Sequence, residues 1–330
     1  MERFIYDLYN DDILSKAFDL FDIRPESVEI LDGYENFVYS AERTGQDCII
    51  RIGHSSHRSV EQVAGELEFI SHLKDEDISV SEPLHSVNQR YAEPIDCDDG
   101  YFTACLFRKA EGGHLPRKER VPDNIVYEWG RLIGGAHKAA VKLREQPIKR
   151  MHWHDEYGMW EKYLHLVPSA VKEVYKDSVR KVKDLPKNHY GLIHADAHAG
   201  NFFVQDGRIT LFDFDDCVYS HFMNDIAIVL YYACARDEEG LADEDRFMGF
   251  TDCFLKGYSE EYHIEPDHFE DVNTFLALRD VFLHMIFKAT IDPKEQSWVK
   301  DFLENSHKRA QNHTVFMDKE KIMPIAEKYF

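Results

Sequence analysis

Residues 191–216, GLIHADAHAGNFFVQDGRITLFDFDD, constrain this chain more than any other stretch. Carboxylates and imidazoles alternate there with apolar runs that have the texture of buried strand. The turn signal QDGR separates two such runs, FFV (202–204) and ITLFDF (209–214). Burying an ionisable group is expensive unless it is paired or bound to a cation. A chain that concentrates such groups beside strands therefore commits the region to chemistry or to an acidic turn. Three readings are open at this point: a metal-dependent hydrolase site, a magnesium–nucleotide site, and a solvated acidic turn with no chemistry.

The flanking sequence sets the architecture. Between residues 28 and 53, VEILD, FVYSAER and CIIRI alternate in the strand manner and are separated by the turn signals GYEN and TGQD. SVEQVAGELEFISHL (59–73) places Val60, Val63, Leu67, Ile70 and Leu73 at helical spacing. Strand-like EPLHSV (82–87) and YFTACLF (101–107) follow. From residue 109 onward the pattern is mostly helical: NIVYEWGRLIGGAHKAAVKL (124–143), then aromatic-rich helices over 221–235, 244–262 and 269–289. The expected fold class is α+β. Residues 1–108 should form a small antiparallel β-sheet lobe with one crossing helix, and residues 109–330 a larger, mainly helical lobe.

Composition narrows the partners. A 330-residue chain with 44 % hydrophobic and 13 % aromatic residues can build one large core or two smaller ones. Its net charge is −22, which disfavours nucleic acid and anionic membrane and favours small cations. Cys48, Cys97, Cys105, Cys217, Cys234 and Cys253 include no CxxC pair, and Cys48 and Cys105 lie in apolar runs. That usage points to a reducing compartment without a disulfide framework or zinc. MERFIYDLYNDDIL lacks a signal-peptide pattern, and no apolar run approaches the ~18–20 residues of a membrane span. A cytoplasmic protein is expected.

Spacing separates the three readings of 191–216. His194, Asp196 and Asn201 form H-x-D-x-x-x-x-N, and Asp213 follows Asp196 by 17 residues. Phosphoryl transfer needs this set: an Asp to accept the substrate hydroxyl proton, and an Asn and a second Asp to hold magnesium. Mg²⁺ is a hard cation that prefers oxygen ligands, and Asn201 and Asp213 supply them. Asp196 then stays uncoordinated, able to orient and deprotonate an attacking hydroxyl. A zinc set of His194, Asp196 and His198 suits the ligand chemistry but would leave Asn201 without a task. His198 itself fits loop orientation, substrate contact or packing.

HADAHAGN (194–201) and LFDFDD (211–216) resemble the aminoglycoside phosphotransferase and choline kinase-like family, distant relatives of protein kinases. The family form is roughly H-G-D-x-H-x-x-N followed by an apolar-D-F-D/E element; this chain has Ala195 where Gly is usual. WGRLIGGAH (129–137) resembles the family's helix ahead of the catalytic loop, and Asp225 in NDIA resembles its anchoring Asp after the metal element.

The resemblance implies a protein-kinase-like bilobal fold, ATP as phosphate donor (GTP being possible) and Mg²⁺. It assigns His194 and Asp196 to catalysis and Asn201 and Asp213 to the metal. In LDGYENFVY (31–39), Gly33 and Asn36 would form the phosphate-covering turn. Arg51 occupies the position of the cation for the α/β-phosphates, with Glu66 as its partner and Glu68 as the runner-up about 200° around the helix. Arg differs from Lys in making a planar, bidentate contact. In LFRKAEGGHL (106–115), Phe107 to Lys109 would offer backbone groups to adenine, and Phe203 and Phe212 would floor the pocket. The acceptor is expected to be a small, amine-bearing hydroxyl compound. The acid- and aromatic-rich segments RDEEGLADEDRF, YSEEYHIEPDHFEDV and HMIF would meet it by carboxylate and cation–π contacts. A protein Ser/Thr kinase and a non-catalytic nucleotide-binding module are the alternatives. The short interval between Asp213 and Asp225, DDCVYSHFMN, leaves little room for a peptide platform.

Overall fold

A computed structural model describes residues 3–31, 33, 35–116, 120–235, 244–292 and 296–330. The chain divides into two compact units. The smaller comprises Met1–Gly113, Gln146–Arg150 and Thr210–Asp215; the larger comprises His114–Glu145, Met151–Ile209 and Asp216–Phe330.

The smaller unit starts with two helices that the sequence reading did not anticipate, α1 (Arg3–Leu8) and α2 (Asp11–Phe21). Asn10 caps α2 by accepting from the amides of Asp12 and Ile13, and the helix buries Ile13, Ala17, Phe18 and Phe21. Its sheet contains β1 (Glu29–Leu31), β2 (Phe37–Arg43), β3 (Gln46–His54), β4 (Pro83–Leu84), β5 (Ala92–Asp96) and β6 (Tyr101–Arg108). The order is β1-β2-β3-β6-β4, with β5 also on β6, and every pairing is antiparallel. Between β3 and β4 runs α3 (Val60–Asp75), entered through a Ser59/Gln62 capping box. Side-chain alternation along β3 sends Cys48, Ile50 and Ile52 into one core with Phe18 and Phe21 of α2 and Phe102, Ala104 and Leu106 of β6. Each of the buried Ile, Leu and Phe side chains among them contributes about 1.5–3 kcal/mol. The same alternation turns Arg51 to the opposite face.

The larger unit contains α4 (Asp123–Lys142), α5 (Trp153–Trp160), α6 (Ser169–Asp184), the strands β7 (Tyr190–Ile193), β8 (Phe202–Gln205), β9 (Arg208–Leu211) and β10 (Val218–His221), and then α7 (Phe222–Ala235), α8 (Glu244–Glu261), α9 (Val272–Thr290), α10 (Ser297–Asn312) and α11 (Lys319–Tyr329). β9 runs on into the smaller unit at its last two residues. Antiparallel β7 and β10 form one ribbon, and β8 and β9 another. The glycines of WGRLIGGAH have a packing reason. A Cβ at Gly130 of α4 would lie 2.0 Å from the Phe254 carbonyl of α8, so the two backbones touch only because the side chain is absent. The observed elements make an α+β protein with a small antiparallel sheet and a larger helical part. No helix of the described residues is long and apolar enough to cross a membrane.

The second strand-like run ends early. ITLFDF stops being strand at Leu211, because Asp213 adopts a left-handed backbone (φ 62°). In that conformation the chain leaves the ladder and presents the Asp213 carboxylate at the surface of its unit.

Candidate active site

In the larger unit, the loop after β7 is held from behind by one carboxylate. Asp225, on the first turn of α7, accepts from the His194 amide (2.9 Å) and the Ala195 amide (2.7 Å) through its two oxygens. Asp225 is itself buried against His137 of α4 (3.2 Å), whose other ring nitrogen meets the Tyr258 hydroxyl at 2.7 Å. Thus the histidine that ends WGRLIGGAH reaches the 194–201 loop through Asp225. Ala195 takes a left-handed backbone (φ 64°), the conformation for which glycine is the cheapest residue. That accounts physically for the one departure from the family pattern: alanine occupies the position under strain.

Inside the loop, Asn201 donates from Nδ2 to the Asp196 carbonyl (2.9 Å) and to its carboxylate (3.1 Å). This amide orientation leaves Oδ1 as the oxygen a cation would take. His198 accepts from the Gly200 amide at Nδ1 (2.8 Å), which assigns its proton to Nε2, 3.4 Å from the Asp196 carboxylate. His194 lies behind the loop: it is buried, and its Nδ1 faces the Asp196 amide at 3.3 Å. The structure therefore gives His194 a loop-shaping position and makes the part-buried Asp196 carboxylate the hub of the loop's polar contacts.

The strongest partner of Asp196 is a residue that sequence reasoning does not reach. Arg279, buried on α9, forms an ion pair with Asp196 Oδ1 and donates to the Tyr232 hydroxyl at 2.8 Å. Burial pushes the Asp196 carboxyl up. Arg279, followed by His198 and His194, outweighs that and brings it down to about 2. Asp196 is thus ionised throughout the neutral range and oriented by three partners. The available signal was a lone arginine inside the apolar run of FEDVNTFLALRDVFLHMIFKA, a position that a helix face fills with charge only when a partner is waiting.

In the smaller unit, Arg51 of β3 and Glu66 of α3 form a buried fork-to-fork pair, with nitrogen–oxygen distances of 2.9 and 2.6 Å. Glu66, rather than Glu68, is the partner: Glu66 is fully buried and Glu68 exposed. The guanidinium also lies over the Phe107 ring at 5.2 Å. Gly33 folds under Asn36; a Cβ at residue 33 would lie 2.2 Å from the Asn36 carbonyl, so this turn requires glycine. Asp32 and Tyr34 of the same turn lie outside the described residues.

Lys109 departs from its expected role as an amide donor to the base. Its amide already donates to the Asp47 carbonyl (3.1 Å), and its Nζ to Ser40 (3.2 Å). Phe107 is an internal residue of β6, in register with Ile49 and Pro83. Phe203, half-buried on β8 in the larger unit, packs edge-on against His114, and Phe212 is half-buried in the smaller unit. Asn201 belongs to the larger unit and Asp213 to the smaller.

Asp215 also belongs to the smaller unit, where it is buried. Its carboxylate accepts from His57 at 2.6 Å and its carbonyl from Arg150 at 2.6 Å. Residues 236–243 of the acidic run RDEEGLADEDRF lie outside the described residues. Of the second acidic run, Glu261 pairs with Arg131 and Glu265 with His189, each at 2.6 Å, so these carboxylates tie the larger unit together.

Comparison with known proteins identifies the family. The profile of the Phosphotransferase enzyme family (APH) matches residues 27–258. The amicoumacin kinase of Bacillus subtilis (strain 168) is 32 % identical over 311 residues, 89 % of this chain and 91 % of that protein. Among solved structures, amicoumacin kinase hAmiN, in complex with AMP-PNP, Ca²⁺ and Ami, superposes with a TM-score of 0.88 at 27 % identity, covering 98 % of this chain and all of the other. A microcompartment-associated aminopropanol kinase shares the fold at TM-score 0.74 and 20 % identity, over 92 % of this chain and 97 % of the other. The fold is protein-kinase-like, the activity is phosphoryl transfer to an alcohol, and the chain belongs to the APH phosphotransferase family.

Proposed function

We propose that this protein transfers the γ-phosphoryl group of ATP to a hydroxyl of a small, amine-bearing compound of the amicoumacin type. The smaller unit binds the nucleotide and the larger unit the acceptor. One observation carries the reading: Asp196, on a loop anchored by Asp225, is a carboxylate kept ionised and aimed by Arg279, His198 and Asn201. Such a group accepts a hydrogen bond from the acceptor hydroxyl, fixes the angle of attack and takes its proton as the new bond forms. Arg51, clamped by Glu66, offers its guanidinium edge to the α/β-phosphates, and the Gly33–Asn36 turn covers them.

Asn201, through Oδ1, and Asp213, through its carboxylate, each offer the kind of oxygen a hard divalent cation prefers. Mg²⁺ held by such oxygens would neutralise charge developing on the phosphate oxygens. Support for the acceptor class comes from the relatedness to amicoumacin kinases across nine-tenths of the chain. A phenolic and imidazole surface beside Asp196, built from Tyr232 and His198, suits an aromatic, amine-bearing acceptor.

The test incubates purified protein and Mg²⁺ with ATP or GTP and a panel of amicoumacin, aminopropanol, choline and aminoglycosides, read by mass spectrometry for a phosphorylated product. Amicoumacin with ATP is expected to give the highest kcat/KM. Asp196→Asn should lower turnover by about 10²–10⁴-fold while calorimetry still shows nucleotide binding. Undiminished turnover in that variant would remove Asp196 from the role, and preference for another acceptor would overturn the substrate class.

A further inference from the structure

A second constellation in the larger unit lies outside the phosphoryl-transfer machinery. His189 immediately precedes β7. Glu265 is the N-cap residue of the 3-10 helix Pro266–Asp271 that leads into α9, and His268 sits within it. In a 3-10 turn, residues i and i+3 eclipse each other, which stacks Glu265 and His268 on one face. Nε2 of His189 lies 2.6 Å from the Glu265 carboxylate, Nδ1 of His268 lies 3.7 Å from the same oxygen, and all three ligand atoms fall within 4.8 Å of one another.

Three independent features point to a ligand here. Both ring nitrogens of His268 are shielded from solvent and have no hydrogen-bond partner, an arrangement that costs about 1–3 kcal/mol per group unless something binds it. A cavity of about 20 Å³ opens beside the cluster, lined by His189, His221, His268 and Asp271 on its polar side; that is room for one water or one ion. Tyr262 holds the far nitrogen of His189 at 3.0 Å, the outer contact that metal-bound imidazoles characteristically have.

We infer that His189 Nε2, the Glu265 carboxylate and His268 Nδ1 form a binding site for a zinc-class divalent transition ion, with a fourth position open to water. Around a tetrahedral ion with bonds of ~2.1 Å, ligand atoms stand about 3.4 Å apart. The observed separations bracket that value, and the exposed Glu265 side chain is free to rotate into place. Two imidazoles and one carboxylate suit zinc rather than magnesium, which seeks oxygen ligands. Binding moves the His189 ring proton from Nε2, where it faces Glu265, to Nδ1, where it is donated to the Tyr262 oxygen; no net proton is released. The ion would clamp His189, which precedes β7 and lies five residues before His194, to the turn that leads into α9, which carries Arg279.

Chelator-treated full-length protein is titrated with Zn²⁺ and, separately, with Co²⁺, in excess Mg²⁺ to occupy any hard-cation site. Wild type should bind one tight equivalent of Zn²⁺, and Co²⁺ should give the intense visible absorption of four-coordinate cobalt, bleached by added Zn²⁺. His268→Ala and Glu265→Gln should each weaken Zn²⁺ binding by at least the ~10–100-fold that loss of an outer partner alone produces. Glu265 is exposed, so the Glu265→Gln variant remains folded and decides the matter if His268→Ala does not. No tight zinc site in wild type, or equal affinity and cobalt absorption in both variants, would overturn the assignment.

Discussion

Replacing Arg279 by methionine keeps most of the side-chain volume and removes the charge that faces Asp196. The carboxyl now titrates at about 2 instead of its ordinary 3.8. At about 1.4 kcal/mol per tenfold, this is a preference of roughly 2 kcal/mol for the ionised form. The Asp196 side chain is only 19 % exposed, so solvent screening removes little of it. Burial opposes ionisation, and Arg279 is the largest of the influences that overcome it. Without Arg279 the carboxyl should therefore rise from about 2.

The consequences for rate and for stability can be measured separately. The acid limb of the kcat–pH profile should move upward from about 2. Turnover at neutral pH should fall by about 10–100-fold from lost alignment, with the KM for nucleotide unchanged. For stability, the folded value lies below the unfolded one. The pair therefore stabilises the protein fully above pH 3.8, and this contribution is lost as pH falls from 3.8 through 2. The variant lacks that reserve, so its acid-unfolding midpoint should move to higher pH. Because one member of a buried pair is removed, the variant should also be less stable at neutral pH by about 3–5 kcal/mol, which circular dichroism in urea measures. An unchanged acid limb together with unchanged turnover would refute the claim that Arg279 holds Asp196 ionised and aligned.

Asp225→Ala removes the acceptor for the buried amides of His194 and Ala195 and the partner of His137; a loss of about 3 kcal/mol or more is expected in urea unfolding, with faster hydrogen exchange at those two amides. Ala195→Gly relieves about 1–2 kcal/mol of left-handed strain against about 0.4–1 kcal/mol of added unfolded-chain freedom, so the variant should be equally stable or up to about 1.6 kcal/mol more stable. The His57–Asp215 pair works in the opposite pH direction. Burial lowers the His57 value, but Asp215 outweighs this and raises it, so stabilisation is complete below 6.5 and is lost as pH climbs through the raised value. His57→Gln should flatten that alkaline decline in a series of urea midpoints.

The sequence discloses what is chemically dense and local, and conceals what is assembled from afar. Asp196 and Asn201 lie five residues apart in one loop and bond each other, so their spacing alone announces them. Arg279 lies 83 residues beyond Asp196 and Tyr232 sits inside an apolar helix; no periodicity links them to the loop, because their meeting depends on how α7 and α9 pack. The same division holds for secondary structure. Long periodic helices such as α4 and α9 are legible to within a few residues. β7 and β10, four residues each, are too short for an alternation pattern and exist because they pair with each other. β5 was hidden by Pro94, which usually argues against a strand; here β5 is accepted on β6 beside a well-formed ladder. LFDF looked like continuous strand because apolar residues flank Asp213, whereas the backbone turns left-handed at that residue. A strand pattern broken by a carboxylate is thus ambiguous from sequence. The backbone reversal that resolves it is also what puts the carboxylate at the surface, where a metal-binding role needs it.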